Sequence, residues 1–254
     1  MAYKGEWERH AERMARLGYD GVELAVRDPR FLDITRVQDV LHSLGLEVPA
    51  IGTGQAYVEE ALSFTDPDEA VRRQAIERIQ THIDFARSLR AQVIIGLVRG
   101  KLRAAVPREL AMEWLVAALA ECAAYAAPDV RLVLEPINRY ETNLVNTTAE
   151  GMELIHAVGM ENIGLLFDTF HANIEEVSIE EAIRLAGSRL YHVHVADSNR
   201  WYPGAGHLDF ARVIATLREI GYKGYVSVEA MPMPDADTCA QRSIALLRSL
   251  LGKA

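Results

Sequence analysis

The chain has 254 residues, half of them apolar, enough to bury one large core, and one domain over residues 1–254 is expected. Its formal net charge of −9 argues against a nucleic-acid partner, which needs a cationic surface. Two cysteines, Cys122 and Cys239, are too few and too far apart for a disulfide framework or a thiolate zinc site; the charged start predicts no signal peptide, and no apolar run is long enough for a membrane span, so a cytoplasmic protein is expected.

Trp7, Ala11, Met14 and Leu17 recur at helical spacing, and Gly18 follows as a left-handed stop. Tyr19 to Val26 reads as a strand, and Thr35 to Leu44 as a helix stopped by Gly45. Leu46 to Ile51 is the next strand, Gly52 to Asp66 a longer loop, and Asp68 to Leu89 a helix. The β-branched run Gln92 to Val98 predicts a strand buried on both faces. A helix near 107–125 leads to the strand from Leu132, one near 148–158 to Ile163–Asp168, and one near 179–185 to Leu190–His194. Asp209 can cap a helix ending at Gly221, before the strand Tyr225–Glu229 and a helix through Leu251.

Strands alternate with helices throughout, without a linker or low-complexity stretch, which means a parallel sheet. The turn Gly18-Tyr-Asp-Gly21 is repeated as Gly221-Tyr-Lys-Gly224, as copies of one unit would show. Four successive strands end in a residue able to bind metal: Glu135, Asp168, His194 and Glu229. Each would leave a charge or imidazole at the end of an apolar run, and together they suit a divalent ion such as Mn²⁺, Mg²⁺ or Co²⁺. Ligands from four strands converge most readily in a closed ring, so the expected fold is an α/β (β/α)₈ barrel, a class of ~250 residues. Seven strands are counted, and the shortfall lies at the front, where only Met1 to Lys4 precede the first helix. An absent or incomplete first strand is therefore expected, with an unpaired edge that needs cover or another subunit.

Each of these residues also has a plainer reading. A carboxylate at a strand mouth can simply reach water, and Asp168 before Thr169 can cap a helix. His192 and His194 share one strand face, so His194 is placed near the loops and His192 deeper as a hydrogen-bonded core residue. Arg139 and Arg200 can be solvated loop charges; His207 and Asp209 are read as turn and cap residues.

Glu135-Pro-Ile-Asn-Arg-Tyr-Glu141, Asn146-Thr-Thr-Ala-Glu-Gly151, Asp168-Thr-Phe-His171, His194-Val-Ala-Asp-Ser-Asn-Arg200 and Glu229 resemble the sugar isomerase/epimerase superfamily of xylose isomerase-like TIM barrels, and within it the D-tagatose/D-psicose (ketose) 3-epimerase group. The resemblance is specific from about Val130 to Met231. It implies a divalent metal, Mn²⁺ before Mg²⁺ or Co²⁺, on Glu135, Asp168, His194 and Glu229. It also implies substrate contacts from Glu141, His171 and Arg200, Glu135 and Glu229 as the acid/base pair of a C3 epimerisation through a cis-enediolate, and a homo-oligomer, dimer or tetramer. Aldose/ketose isomerisation and sugar or cyclitol dehydration use the same enediolate logic and stay open, as does a non-catalytic sugar-binding barrel. The DNA-repair nucleases of the superfamily need further histidines, which Ile51-Gly-Thr53 and Leu97-Val-Arg99 lack. No phosphate-cradling Gly-rich loop stands out, which favours a free sugar.

Overall fold

The computed structural model of the protein describes residues 6–252. Seven parallel strands follow one another around a curved sheet in chain order: β1 (Leu24–Ala25), β2 (Ala50–Gly52), β3 (Gln92–Ile95), β4 (Leu132–Leu134), β5 (Ile163–Asp168), β6 (Leu190–Val195) and β7 (Val226–Val228). Among the described residues ten α-helices accompany them: α1 (Trp7–Leu17), α2 (Ile34–Ser43), α3 (Gly54–Glu60), α4 (Glu69–Leu89), α5 (Arg108–Ala126), α6 (Thr148–Val158), α7 (Thr169–Glu175), α8 (Ile179–Ala186), α9 (Phe210–Glu219) and α10 (Ala236–Leu251). This is the α/β TIM-barrel architecture expected from the alternation of elements.

The period-two geometry of a strand divides the core into two layers. Leu132 and Leu134 of β4, like Val93 and Ile95 of β3, belong to the large core shared with the helices. Val133 and Ile94 point the other way and join Ala50 and Leu166 in a small cluster inside the curve. The repeated turn is real: Gly18 and Gly221 both follow a helix with left-handed backbone, φ 84° and 73°.

Several expected boundaries shift. Of Tyr19–Val26 only Leu24–Ala25 forms a ladder, preceded by one bridge between Gly21 and Glu47. Gly21 permits that bridge, because a Cβ there would lie 2.7 Å from the Glu47 carbonyl oxygen. The loop after Gly52 contains α3, and the strand expected to reach Val98 stops at Ile95, followed by a 3₁₀ turn at Leu97–Arg99. Helix α7, starting directly at the end of β5, is a further addition.

Met1 to Lys4, on which the expected absence of a first strand turns, lie outside the described residues. Among the described residues β1 and β7 share no ladder, and side chains and helices bridge the seam between them. The Tyr225 hydroxyl meets the Glu47 carboxylate. Helix α1 packs on α10, where Arg13 pairs with Asp237 at 2.8 Å and the Tyr19 hydroxyl donates to the Ala240 carbonyl at 2.8 Å. No described helix is long and apolar enough to cross a membrane.

Candidate metal centre and substrate cleft

The parallel register brings the four strand-end donors to one height. Asp168 is the last residue of β5 and pairs with His194 on β6. Glu135 follows β4 with its N–H on the Ile95 carbonyl (3.1 Å), and Glu229 follows β7 with its N–H on that of Val195 (3.2 Å). One donor atom from each of Glu135, Asp168, His194 and Glu229 lies within 4.8 Å of all the others. His194 Nδ1 is 3.3 Å from a Glu229 oxygen and 3.9 Å from oxygens of both Glu135 and Asp168.

Asp168 fills the capping role open to it in the sequence and leaves its second oxygen facing the cup. Its Oδ1 accepts from the N–H groups of Phe170 (2.6 Å) and His171 (3.3 Å) and caps α7. Its Oδ2 is buried without a partner, as are Glu135 Oε1 and His194 Nδ1. Buried polar atoms are almost always hydrogen-bonded, so three such atoms converging on one cup call for a further group. Three carboxylates and an imidazole fit a divalent ion, and the cup is a site able to hold one.

The cup separates its two glutamates electrostatically. Burial, then the nearby Glu229 and Asp168 carboxylates, push the Glu135 carboxyl up to about 8. Burial would raise Glu229 too, but the His194 imidazole outweighs it and holds that carboxyl low. Packing behind Glu135 is tight, for a Cβ on Gly96 would lie 2.9 Å from Glu135 Oε2. Fully buried Arg99 fixes the local backbone, donating to the carbonyls of Gly96 (3.0 Å), Glu135 (2.7 Å), Leu144 (3.1 Å) and Val145 (2.9 Å).

Glu141, His171 and Arg200 line the same cleft, which encloses about 1280 Å³ and continues past Glu23 to the seam. Arg200 donates to Glu141 Oε1 at 2.8 Å and stacks on Phe170, 4.8 Å from the ring centre. Asn138 donates from Nδ2 to Glu141 Oε1 (3.1 Å) and to His171 Nδ1 (2.7 Å). With Nδ1 accepting, His171 carries its proton on Nε2, which faces Glu135 Oε1 at 3.8 Å. The loop bearing Arg200 is organised by buried Asp197, which accepts from the N–H groups of Ser198, Gly204 and Leu208 at 2.7–3.1 Å. Arg200 itself has φ 62°.

Other residues weighed in the sequence lie elsewhere. Arg139 forks onto Glu175 (2.8 Å) on the surface, His207 bonds the Ser198 hydroxyl (2.9 Å), and Asp209 caps α9. His192 is fully buried below His194 and bonds Glu23. Sequence reasoning gave no role to Glu23, Asn138, Arg99 or Asp197. Glu23 carried a signal, an acidic residue between Val22 and Leu24 in an otherwise apolar stretch. Arg99 ends an equally apolar run, but nothing local marks it as buried.

A seven-stranded parallel TIM barrel with a carboxylate-imidazole cup at its carboxyl mouth is the class defined by fold and geometry. The family model described as "Xylose isomerase-like TIM barrel" matches residues 11–250. The L-ribulose 3-epimerase of Methylomonas sp. (strain DH-1) is 31% identical over 259 residues, spanning 98% of this chain and 89% of the relative. The D-psicose 3-epimerase of Ruminiclostridium cellulolyticum is 32% identical over 243 residues, 89% of this chain and 80% of the relative. A solved L-ribulose 3-epimerase superposes with a TM-score of 0.87 at 31% identity, covering 99% of this chain and 91% of that one. The Methylomonas sp. D-allulose 3-epimerase in complex with D-allulose gives 0.86 at 29% identity, covering 98% and 94%. The chain belongs to the xylose isomerase-like TIM barrel family and is an isomerase-class enzyme like the ketose 3-epimerases it resembles.

Proposed function

We propose that the protein inverts a free ketose at C3, with Glu135, Asp168, His194 and Glu229 holding Mn²⁺, or Mg²⁺ or Co²⁺ in its place. The observation that carries this reading is geometric: two glutamates, one after β4 and one after β7, share a cup with Asp168 and His194 in which one donor atom of each lies within 4.8 Å of all the others. The sugars named for the relatives, L-ribulose, D-psicose and D-allulose, set the expected size of substrate.

Glu135, Asp168, His194 and Glu229 would hold the ion, which would supply Lewis acidity worth several kcal/mol to negative charge on the substrate's C2 oxygen. Glu229 takes the C3 proton; the C3–H electron pair becomes the C2–C3 double bond, and the carbonyl π pair moves onto the C2 oxygen. Glu135 then returns its proton to the opposite face of C3, and the C2 carbonyl re-forms. The reverse reaction exchanges the two roles, and solvent exchange restores the starting protonation. Positioned acids and bases of this kind contribute about 10²- to 10⁴-fold. The Nε2–H of His171 offers a donor beside Glu135, and the Glu141–Arg200 pair offers an acceptor and a donor to sugar hydroxyls. These fixed partners orient C3 between the two carboxyls.

Turnover of D-psicose or L-ribulose in D₂O is expected to place deuterium at C3 of the product. Glu135→Gln and Glu229→Gln should each lower kcat by at least about 10²-fold while the ion-free protein still melts cooperatively. Deuterium at C1 would replace this reading with aldose/ketose isomerisation, and product free of solvent deuterium would overturn the enediolate.

A further inference from the structure

We infer that Glu23, contributed from across the seam, is a positioning residue that fixes the tautomer of His194 and with it the metal affinity of the cup. The inference rests on His194 being a ligand, as proposed above. Glu23 stands just before β1 with its side chain 22% exposed, and its carboxylate reaches both inward-facing imidazoles of β6. Oε2 lies 3.0 Å from His194 Nε2; Oε1 lies 2.5 Å from His192 Nε2 and 3.2 Å from His194 Nε2. The two rings meet edge to face, 5.2 Å apart.

Proton bookkeeping gives this contact its consequence. A neutral imidazole has one N–H and one lone pair. His194 Nδ1 faces Glu135, Asp168 and Glu229 and has no hydrogen-bond partner, so a lone pair there suits a ligand and an N–H would obstruct one. The proton must then sit on Nε2, whose hydrogen-bond acceptor among the described residues is the Glu23 carboxylate. Such a carboxylate–histidine arrangement orients the ring and raises its basicity toward the metal. Glu23, His192 and His194 also lie close enough to form a cation site of their own. Filled together with the cup, that site would require His194 to give up both ring protons, whereas hydrogen bonds to the two imidazoles already account for both Glu23 oxygens.

Mn²⁺ titration by calorimetry and by EPR of the free ion, on the wild type, Glu23→Gln and Glu23→Ala, tests the assignment. The wild type is expected to take one ion per chain. The Gln variant should bind ten- to a hundredfold more weakly and the Ala variant more weakly still, with ion-free Glu23→Gln melting close to the wild type. A purely structural role would lower the melting temperature and leave the affinity of the folded protein unchanged. Nitrogen NMR of ¹⁵N-histidine-labelled wild type loaded with Mg²⁺ needs no variant and should show the His194 proton on Nε2. Equal affinities for wild type and Glu23→Gln, a proton on Nδ1, or two ions per wild-type chain with one lost in Glu23→Gln would each overturn the inference alone. A wild type that takes no ion would overturn the cup as well.

Discussion

Glu135 gives the ion-free protein a pH signature at the level of one residue. Its carboxyl sits at about 8 in the folded chain, against a usual value of 4.5. Between those values the folded state holds a proton that the unfolded chain has released. The stability this contributes is complete below about 4.5 and is lost as pH rises toward about 8. Urea unfolding in chelator should therefore show the wild type losing stability relative to Glu135→Gln across that interval, then levelling off. A difference that does not vary with pH would mean that the carboxyl is ionised throughout. Mn²⁺ competes with the same proton, so its affinity should rise with pH over the same range. The four cup residues were legible because each closes an apolar run with a group that cannot be left there unpartnered. Asn138 and Arg99 were not, because their roles depend on groups brought close only by the ring: His171 for one, the carbonyls of Leu144 and Val145 for the other.

Helix α7 and the strand before it share a residue, so the two duties of Asp168 can be separated. Asparagine retains an oxygen able to accept from Phe170 N–H but puts an amide where Oδ2 faces the cup. Asp168→Asn should unfold in urea like the wild type when ion-free, yet lose Mn²⁺ affinity; Asp168→Ala should lose the affinity and also about 1 kcal/mol of cap stability. An Asn variant that binds Mn²⁺ as tightly as the wild type would remove Asp168 from the cup. The long helices were readable from their periodicity, whereas α3 and α7, seven residues each, are too short to show one. The β1 stretch was overestimated because the extended pattern of Tyr19–Val26 reports burial and alternation, while ladder length depends on what the neighbouring backbone offers.

At the scale of the whole molecule, the ring formed by the described residues is closed unevenly. Six strand pairs are joined by ladders; the seam between β1 and β7 is held by the Tyr225–Glu47 and Glu23–imidazole contacts and by α1 against α10. In the ion-free protein, amides of β1 and β7 should exchange hydrogen faster than those of β4 and β5, and Tyr225→Phe should widen the gap. Uniform protection around the ring would show that the seam is as firm as a ladder. The order of strands was visible in the sequence, where each is followed by its crossover helix. The ties across the seam were not, because they join residues such as Glu47 and Tyr225 that only the closed ring makes neighbours.

The four donors of the cup come one each from β4, β5, β6 and β7, so a bound ion would act as a clip across consecutive staves of the barrel. Peeled from its β7 side, the sheet would surrender Glu229 first, then His194, then Asp168. The clip therefore fastens the half of the ring that ends at the seam, while the arc from β1 to β3 stays outside its grip. Glu23, a carboxylate of that outer arc, reaches a residue of the cup, His194. It is a latch between a half that would perform the chemistry and a half that walls it in.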